Sequence, residues 1–196
     1  MFDIQYISEI LPSLLSGAAM TLQVFIWTII GSLILGVFLA LGLVSKFKPL
    51  QYIISAYVWL MRGTPLLLQL IFVFYGLPTV GIVFPRYEAA LFAFILNYAA
   101  YLRKSSGAGW VGGIRDEYEA GRVLQMTYWQ TTKKVVLPQV AKIVLPSIGN
   151  EVINLVKDSS LVYVIGIGDL LRAGNVAAAR DVTLVPFILV GIMYLI

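Results

Sequence analysis

Long apolar runs separated by short polar segments dominate the hydropathy pattern of this chain. Residues 24–44 carry no charge, and their only hydroxyl side chains are Thr28 and Ser32. A helix needs about 20 apolar residues to cross a bilayer, and this run has that length. No basic segment or small-residue cleavage site precedes it, so it does not resemble a signal peptide. We therefore predict a retained transmembrane helix over residues 20–44.

Four further spans are predicted along the chain. The apolar block at 52–84 is interrupted by "RGTP", where Pro65 lacks a backbone N–H and its neighbour avoids the helical region. We predict an interfacial helix over 50–61, a second span over 66–78, a third from Glu88, a fourth over 147–165 and a fifth from Val182. Residues 1–17 read as a short amphipathic lead-in, residues 76–88 as a turn-rich connector and residues 166–181 as a loop. The fifth span reaches position 196 before about 20 residues are complete, so we expect it to continue beyond this sequence.

The distribution of lysine and arginine predicts the orientation. If the N-terminus lies outside, one side of the membrane carries Lys46, Lys48, Arg62, Arg103, Lys104, Arg115, Arg122, Lys133, Lys134 and Lys142. The other side carries Arg86, Arg172 and Arg180. The basic side of a membrane protein is cytoplasmic. We therefore expect an external N-terminus and a cytoplasmic segment at 115–138.

Composition supports a membrane protein and argues against several kinds of enzyme. The chain is 60% hydrophobic and 12% charged, and a net charge of +4 is better explained by membrane orientation than by nucleic-acid binding. The absence of cysteine and histidine excludes disulfides, Ser–His and Cys–His nucleophiles, and zinc sites built on those ligands. "GAGWVG" at 107–112 matches a dinucleotide motif by letter only, and we expect a loop or helix break there. No P-loop motif occurs, so we expect no enzyme and no cofactor in this chain.

A one-sided polar stripe marks the fourth span. At 100° per residue it gathers Asn150, Glu151, Asn154, Lys157 and Asp158 on about a third of the helix circumference. Ionisable side chains inside a membrane are costly unless they line a polar interior or pair with each other. The stripe fits the wall of a solute pathway or a set of helix–helix contacts. Asn97 and Tyr101, one turn apart in the third span, could face the same pathway.

The segment at 117–139, "EYEAGRVLQMTYWQTTKKVVLPQ", is charged and amphipathic. Tyr128 and Trp129 suit a membrane interface, and Lys133 and Lys134 suit the cytoplasmic surface. We expect Pro138 to break the helix. Periodicity leaves two roles open, because such a helix could lie flat on lipid or enter a groove in a cytosolic partner.

This segment also carries a family pattern: E-A-A, three residues, G, nine residues, then I-x-L-P. The corresponding positions here are Glu119, Ala120, Gly121, Gln125, Val135, Leu137 and Pro138, with departures at 121, 125 and 135. Further matches are "SGAAMTLQV" from residue 16, "RGTPLLLQL" at 62–70 and "LPSIGNEVINLVKDSSLVYVIGIGDLLRAG" at 145–174, whereas "RKSSGAGW" at 103–110 does not match. The chain resembles the membrane permeases of ABC importers, specifically the polar amino-acid uptake group.

The resemblance implies an all-α type I importer permease fold of about five transmembrane helices in one domain over 1–196, with a cytoplasmic coupling helix within 115–138. It implies these ATPase-coupling residues: Glu119, Ala120, Gly121, Leu124, Gln125 and Met126. The residues expected to bind substrate are Asn97, Tyr101, Glu151, Asn154, Lys157, Asp158, Ser159 and Ser160. Because glycine usually allows the turn after the coupling helix, Gln125 is expected to alter the path of the loop.

The resemblance also implies partners and a location. A separate cytosolic ATPase would bind ATP and Mg²⁺, an extracytoplasmic binding protein would deliver an amino acid, and a second permease copy would complete a homodimer or close heterodimer. The location would be a bacterial or archaeal-type cell membrane.

Two other functions fit the residues. An ion-gradient-driven secondary transporter or channel could use Glu151 or Asp158 as a proton or Na⁺ site. A non-transporting scaffold could use the basic loop to recruit a partner. For an importer, two acids mildly favour a cationic amino acid such as arginine or lysine, although Lys157 could offset one acid and leave a site for glutamine-like solutes.

Overall fold

The backbone is helical along nearly all of the part of the chain that the computed structural model describes, residues 4–112 and 114–195. No strand occurs within those two ranges. The side chains of residues 44, 103–116, 140, 143 and 144 lie outside the description, and they include the atypical block at 103–110. The all-α prediction is confirmed.

Helix α1 (Ile4–Val44) is continuous over 41 residues, so the separate lead-in predicted for residues 1–17 is wrong. The helix faces the rest of the protein with a stripe spaced three and four residues apart: Ile10, Leu14, Gly17, Thr21, Val24, Thr28 and Ser32. Its other faces expose leucine, isoleucine and phenylalanine side chains. A helix that is apolar all round suits a lipid environment.

The break predicted at "RGTP" is confirmed. Helix α2 (Lys48–Gly63) ends before Pro65, and helix α3 (Leu66–Ile71) leaves at an angle of 105°. A π-helical turn (Phe72–Gly76) and a 3-10 turn (Leu77–Val80) extend α3. The connector predicted at 76–88 thus starts within these turns, and Gly81, at φ 87°, ends them.

Helix α4 (Arg86–Gly112) is the central element, packing against α1, α2, α3 and a later helix, α7. Small buried residues at 89, 90, 93, 99 and 100 let those neighbours approach closely. On α1, a Cβ at residue 31 would lie 2.9 Å from Ile95 Cγ1, so the close packing of α1 against α4 favours glycine there. The backbone stays helical through residues 107–112, so the loop or break predicted there is wrong.

The middle segment consists of helix α5 (Ile114–Val123), a turn, and helix α6 (Tyr128–Thr131). A π-helical turn (Thr132–Val136) leads directly into helix α7 (Leu137–Asp158). Pro138 was expected to break the helix, and this prediction is wrong. The proline lies in the first turn of α7, where a missing N–H is tolerated.

After α7, a 3-10 turn (Ser159–Ile165) leads to helix α8 (Leu170–Asp181), bent by 58°, and then to helix α9 (Val185–Leu195). The loop predicted at 166–181 is therefore mostly helix. Asp169 caps α8 by accepting bonds from the Leu171 and Arg172 N–H groups at 3.1 and 3.2 Å. Leu170, Gly174, Ala177 and Ala178 form its buried face.

Length and composition identify α1 as able to cross a membrane by itself. The count among the described residues rises to three if each bent helix pair forms one span. One pair is α2 with α3 and its extension, and the other is the end of α7 with α8. Apolar α9 is shorter than a full crossing.

Candidate functional site

A cavity of about 360 Å³ lies where the corner between α2 and α3 meets α4 and α7. Most of the predicted substrate-binding residues line it: Asn97, Tyr101, Glu151, Asn154, Lys157 and Asp158. The α7 helix brings its four members to one face because they are spaced three and four residues apart. The two members from α4 are also one turn apart. The cavity therefore unites two polar patterns that lie more than 50 residues apart in the sequence.

The two predicted serines do not line this cavity. Ser159 is fully buried and donates to the Val156 carbonyl at 2.6 Å. Ser160 donates to the Lys157 carbonyl at 2.8 Å. Both hydroxyls thus stabilise the transition from α7 to the 3-10 turn. Asn150, the first residue of the predicted stripe, is exposed and also lies outside the cavity lining.

Tyr98 is a lining residue that the sequence reasoning missed. Its side chain is 3% exposed, and its hydroxyl donates to Asp158 Oδ2 at 2.7 Å. This bond joins α4 to the end of α7 and leaves Asp158 Oδ1 for other partners. The sequence signal that could have identified Tyr98 is its position one residue after Asn97 and three residues before Tyr101. An aromatic residue in an apolar span does not by itself indicate a polar role.

The α2–α3 corner contributes another wall, Thr64–Leu67, which was also missed. Just before it, the Arg62 guanidinium lies over the Tyr101 ring, 5.1 Å from the ring centroid. Arg62 also acts electrostatically on half-buried Glu151. The cavity thus combines two carboxylates, one ammonium group and two amides with aromatic walls, and a guanidinium lies beside it. Such a lining can hydrogen-bond a small solute that carries both signs of charge.

A second site is formed by the middle segment. Helix α5 ends in a Schellman turn, in which Met126 N–H bonds the Gly121 carbonyl at 2.9 Å and Gln125 N–H bonds the Arg122 carbonyl at 3.0 Å. Gln125 takes the left-handed conformation, with φ 56°, that glycine usually supplies. The expected change in loop path is therefore absent, because Gln125 makes the turn despite its side chain.

Helix α5 lies against α6 through two contacts. The Tyr118 ring stacks on the Tyr128 ring with 4.9 Å between centroids, and the Tyr118 hydroxyl is 2.7 Å from Thr132 Oγ1. One turn along, buried Gly121 faces buried Thr131. Hydrogen bonding to Tyr118 raises the pKa of the Tyr128 phenol above its ordinary value.

The predicted coupling residues divide into exposed and packed groups. Glu119, Ala120, Leu124 and Gln125 are exposed, Met126 is half-buried, and Gly121 is buried. Exposed Val123 extends the apolar end of α5. A groove of about 460 Å³ beside them is lined by Tyr118, Glu119, Arg122, Met126, Tyr128 and Thr131. The segment thus presents a short helix, α5, that has charged residues at its start and apolar residues at its end and that packs against α6.

Comparison with known proteins follows this geometry. The family described as binding-protein-dependent transport system inner membrane component matches residues 32–196. The arginine transport system permease protein ArtQ of Bacillus subtilis (strain 168) is 39% identical over 186 residues, which cover 94% of this chain and 85% of ArtQ. The L-cystine transport system permease protein TcyB of the same strain is 35% identical, covering 93% of this chain and 79% of TcyB.

A solved structure is similar along the whole chain. A crystal structure described as an amino acid ABC transporter with histidines superposes with a TM-score of 0.87 at 32% identity. The superposition covers 100% of this chain and 92% of the other. The helix order and the bent pairs described above are therefore those of a known transporter fold.

Proposed function

This chain belongs to the family of binding-protein-dependent transport system inner membrane components, and from this premise we propose that its α4–α7 cavity binds the amino acid that the transporter carries. The chain is the transmembrane subunit of an ATP-driven amino-acid importer, and in this family the ATPase is a separate subunit. The family membership accounts for the missing P-loop. The composition of the cavity carries the proposal about the substrate.

An amino acid presents an ammonium group and a carboxylate on one carbon. Its site therefore needs both an acceptor and a donor of opposite charge close together, with the remaining hydrogen bonds satisfied. Glu151 and Asp158 supply carboxylates, Lys157 supplies an ammonium group, and Asn97 and Asn154 supply amides. These groups stand against aromatic and aliphatic walls, which is the usual composition of a small-molecule pocket.

The charge balance favours a cationic amino acid. The lining carries two carboxylates but one lysine, and Arg62, which acts electrostatically on Glu151, lies beside the cavity and not in its lining. Within the lining a carboxylate therefore remains after Lys157 is balanced. A guanidinium or ammonium side chain on the substrate would use it. The ArtQ relative at 39% identity is named for arginine transport, in agreement with this preference. The TcyB relative is named for cystine, so the family fold accommodates more than one substrate class.

The middle segment is proposed to receive the ATPase. Exposed Glu119 and Ala120 begin the contact surface, and exposed Val123 and Leu124 end it. In the proposed topology this segment is cytoplasmic and the N-terminus is external. A second permease copy, identical or closely related, and an external amino-acid-binding protein complete the proposed assembly.

Transport by the reconstituted assembly tests this function. The permease, its ATPase and its binding protein are placed in vesicles, and uptake of arginine, lysine, glutamine and cystine is measured with and without ATP. We expect arginine and lysine uptake that requires both ATP and the binding protein. Uptake that proceeds without ATP and follows an imposed ion gradient would show that the chain is a secondary transporter.

Neutralising one acid tests the cavity itself. Glu151→Gln should lower arginine uptake severalfold more than glutamine uptake, because it removes the charge and keeps the shape. Glu88→Gln is the matched control, since Glu88 is exposed at the start of α4 and lies outside the cavity lining. Equal loss for both substrates, or an equal effect of the control, would contradict the assignment.

A further inference from the structure

The corner between α2 and α3 leaves backbone carbonyls without helical partners. The last four carbonyls of a helix lack intrahelical donors, and Pro65 has no N–H to offer. Thr64 and Pro65 are extended, with ψ of 145° and 139°, so the chain leaves the helix abruptly. Thr64 Oγ1 donates to the Leu60 carbonyl at 2.8 Å. The other carbonyls of the corner need donors from elsewhere.

Gln69, one turn into α3, supplies donors to two of them. The two hydrogens on its Nε2 are shared among three acceptors, the Met61 carbonyl at 2.9 Å, the Thr64 carbonyl at 3.2 Å and Thr64 Oγ1 at 2.7 Å. One amide group therefore ties the end of α2 to the start of α3 across the break. Since lipid offers no competing hydrogen bonds, such a side chain is the main alternative to leaving a carbonyl unsatisfied.

Asn97 connects this corner to α4. Its Nδ2 donates to the Met61 carbonyl at 3.1 Å and to Gln69 Oε1 at 3.0 Å. The side chain is 4% exposed. Both bonds use the amide nitrogen, so the amide oxygen is left to the cavity that Asn97 lines. Helix α4 also carries Tyr98 and Tyr101, so the link holds the corner against the aromatic wall of the cavity.

We propose that Gln69 is a positioning residue for substrate affinity: through Asn97 it fixes the Thr64–Leu67 wall of the cavity, although Gln69 itself lies outside the lining. The inference rests on the proposed function, because affinity for an amino acid is what the wall controls. Loss of the link would let the 105° corner relax and move one side of the cavity. A binding site is precise only when supporting hydrogen bonds hold the residues of its walls in position.

The chain contains a matched control for this residue. Gln51 performs the same kind of capping at the junction of α1 and α2, where its Nε2 donates to the Leu43 and Ser45 carbonyls at 3.1 and 2.7 Å. Gln51 lies outside the cavity lining. Gln51→Leu and Gln69→Leu therefore remove the same kind of capping bond at two helix breaks. The break at Gln69 borders the cavity, and there the bond to Asn97 is lost as well.

Concentration-dependent uptake is the first measurement. Gln69→Leu should raise KM about tenfold, which corresponds to about 1.4 kcal/mol, with a smaller change in maximal rate. The lost bonds hold the wall and do not touch the substrate, so only part of their free energy reaches KM. Gln51→Leu should leave KM unchanged. Asn97→Leu is similar in size and removes both donated bonds without adding a charge to the cavity, so it should raise KM without adding fully to Gln69→Leu. Full additivity would overturn the proposed link.

The rate of thiol labelling reports how accessible the wall is, and the measurement does not require transport. The sequence has no cysteine, so Leu67→Cys introduces a single reporter in the wall. Gln69→Leu should change the rate of maleimide labelling severalfold, and Gln51→Leu should not. If the wild-type protein does not transport amino acids, the proposed function is wrong. The labelling rates still test whether Gln69 fixes the wall.

Either of two results would overturn the proposal. In the first, Gln69→Leu has the KM and the labelling rate of the wild type. In the second, Gln51→Leu shows the same shifts as Gln69→Leu. Gln69→Met, which keeps the length of the side chain and removes its amide, serves for both measurements if Gln69→Leu does not give folded protein.

Discussion

Gly121 occupies a position where the family pattern has alanine, and the structure predicts the consequence of restoring that alanine. A Cβ at residue 121 would lie 2.7 Å from Thr131 Cγ2, and closer still to Thr131 Oγ1. Glycine to alanine inside a helix normally stabilises by about 1 kcal/mol. Overpacking a filled contact costs about 1–3 kcal/mol. We therefore expect Gly121→Ala to give no net gain, and to destabilise α5 when Thr131 cannot move.

A double-mutant cycle isolates the contact. Thr131→Ala removes both clashing atoms, so Gly121→Ala should regain its benefit of about 1 kcal/mol in that background. The coupling energy should equal the clash, about 1–3 kcal/mol. The bond from Thr131 Oγ1 to the Thr127 carbonyl is lost in both arms of the cycle and cancels.

Hydrogen exchange of peptides covering residues 114–124 gives the free energy of local opening for each variant. Gly149→Ala is the control, because nothing lies within 4 Å of its added Cβ, and it should stabilise α7 by about 1 kcal/mol. The reasoning is refuted if Gly121→Ala increases protection by the same amount with and without Thr131.

The remaining predictions concern both sites. Gln125→Gly should increase protection of the α5 end by about 1 kcal/mol, since the φ of 56° strains a side chain, whereas Gln125→Ala should not; equal protection in both would mean that the turn is unstrained. Glu119→Lys should lower co-purification of the ATPase and uncouple its hydrolysis from uptake, and normal recovery with normal uptake would contradict the docking assignment. Tyr98→Phe removes the bond to Asp158 and should raise KM severalfold, with Tyr163→Phe as the control; wild-type KM in Tyr98→Phe would mean that Asp158 needs no such support.

Elements with a strong local signal were predictable from the sequence. The length of the apolar runs indicated a membrane protein, and Pro65 marked the break between α2 and α3. The spacing of charges in the fourth span placed Glu151, Lys157 and Asp158 on one face. These features depend on residues close together in the chain, so periodicity and backbone chemistry suffice to reveal them.

Elements whose conformation depends on context were not. The mixed composition of residues 166–181 predicts a loop where the structure has helix α8. The Asp169 cap and a buried small-residue face packed against α1 make it a helix. Pro138 predicts a helix break, because the sequence does not reveal that a π-helical turn precedes it. In the structure it falls in the first turn of α7, where proline is tolerated.

The sequence by itself determined the environment, the class of fold and the polar faces that a solute could meet, because these follow from composition and short-range periodicity. The tertiary structure decided which of those groups share a cavity. It joined Tyr98 to Asp158 across 60 positions and Gln69 to Asn97 across 28, and it turned Ser159 and Ser160 toward their own backbone. In lipid the backbone polar groups must find partners within the protein, and at helix breaks helix packing decides which side chains supply them.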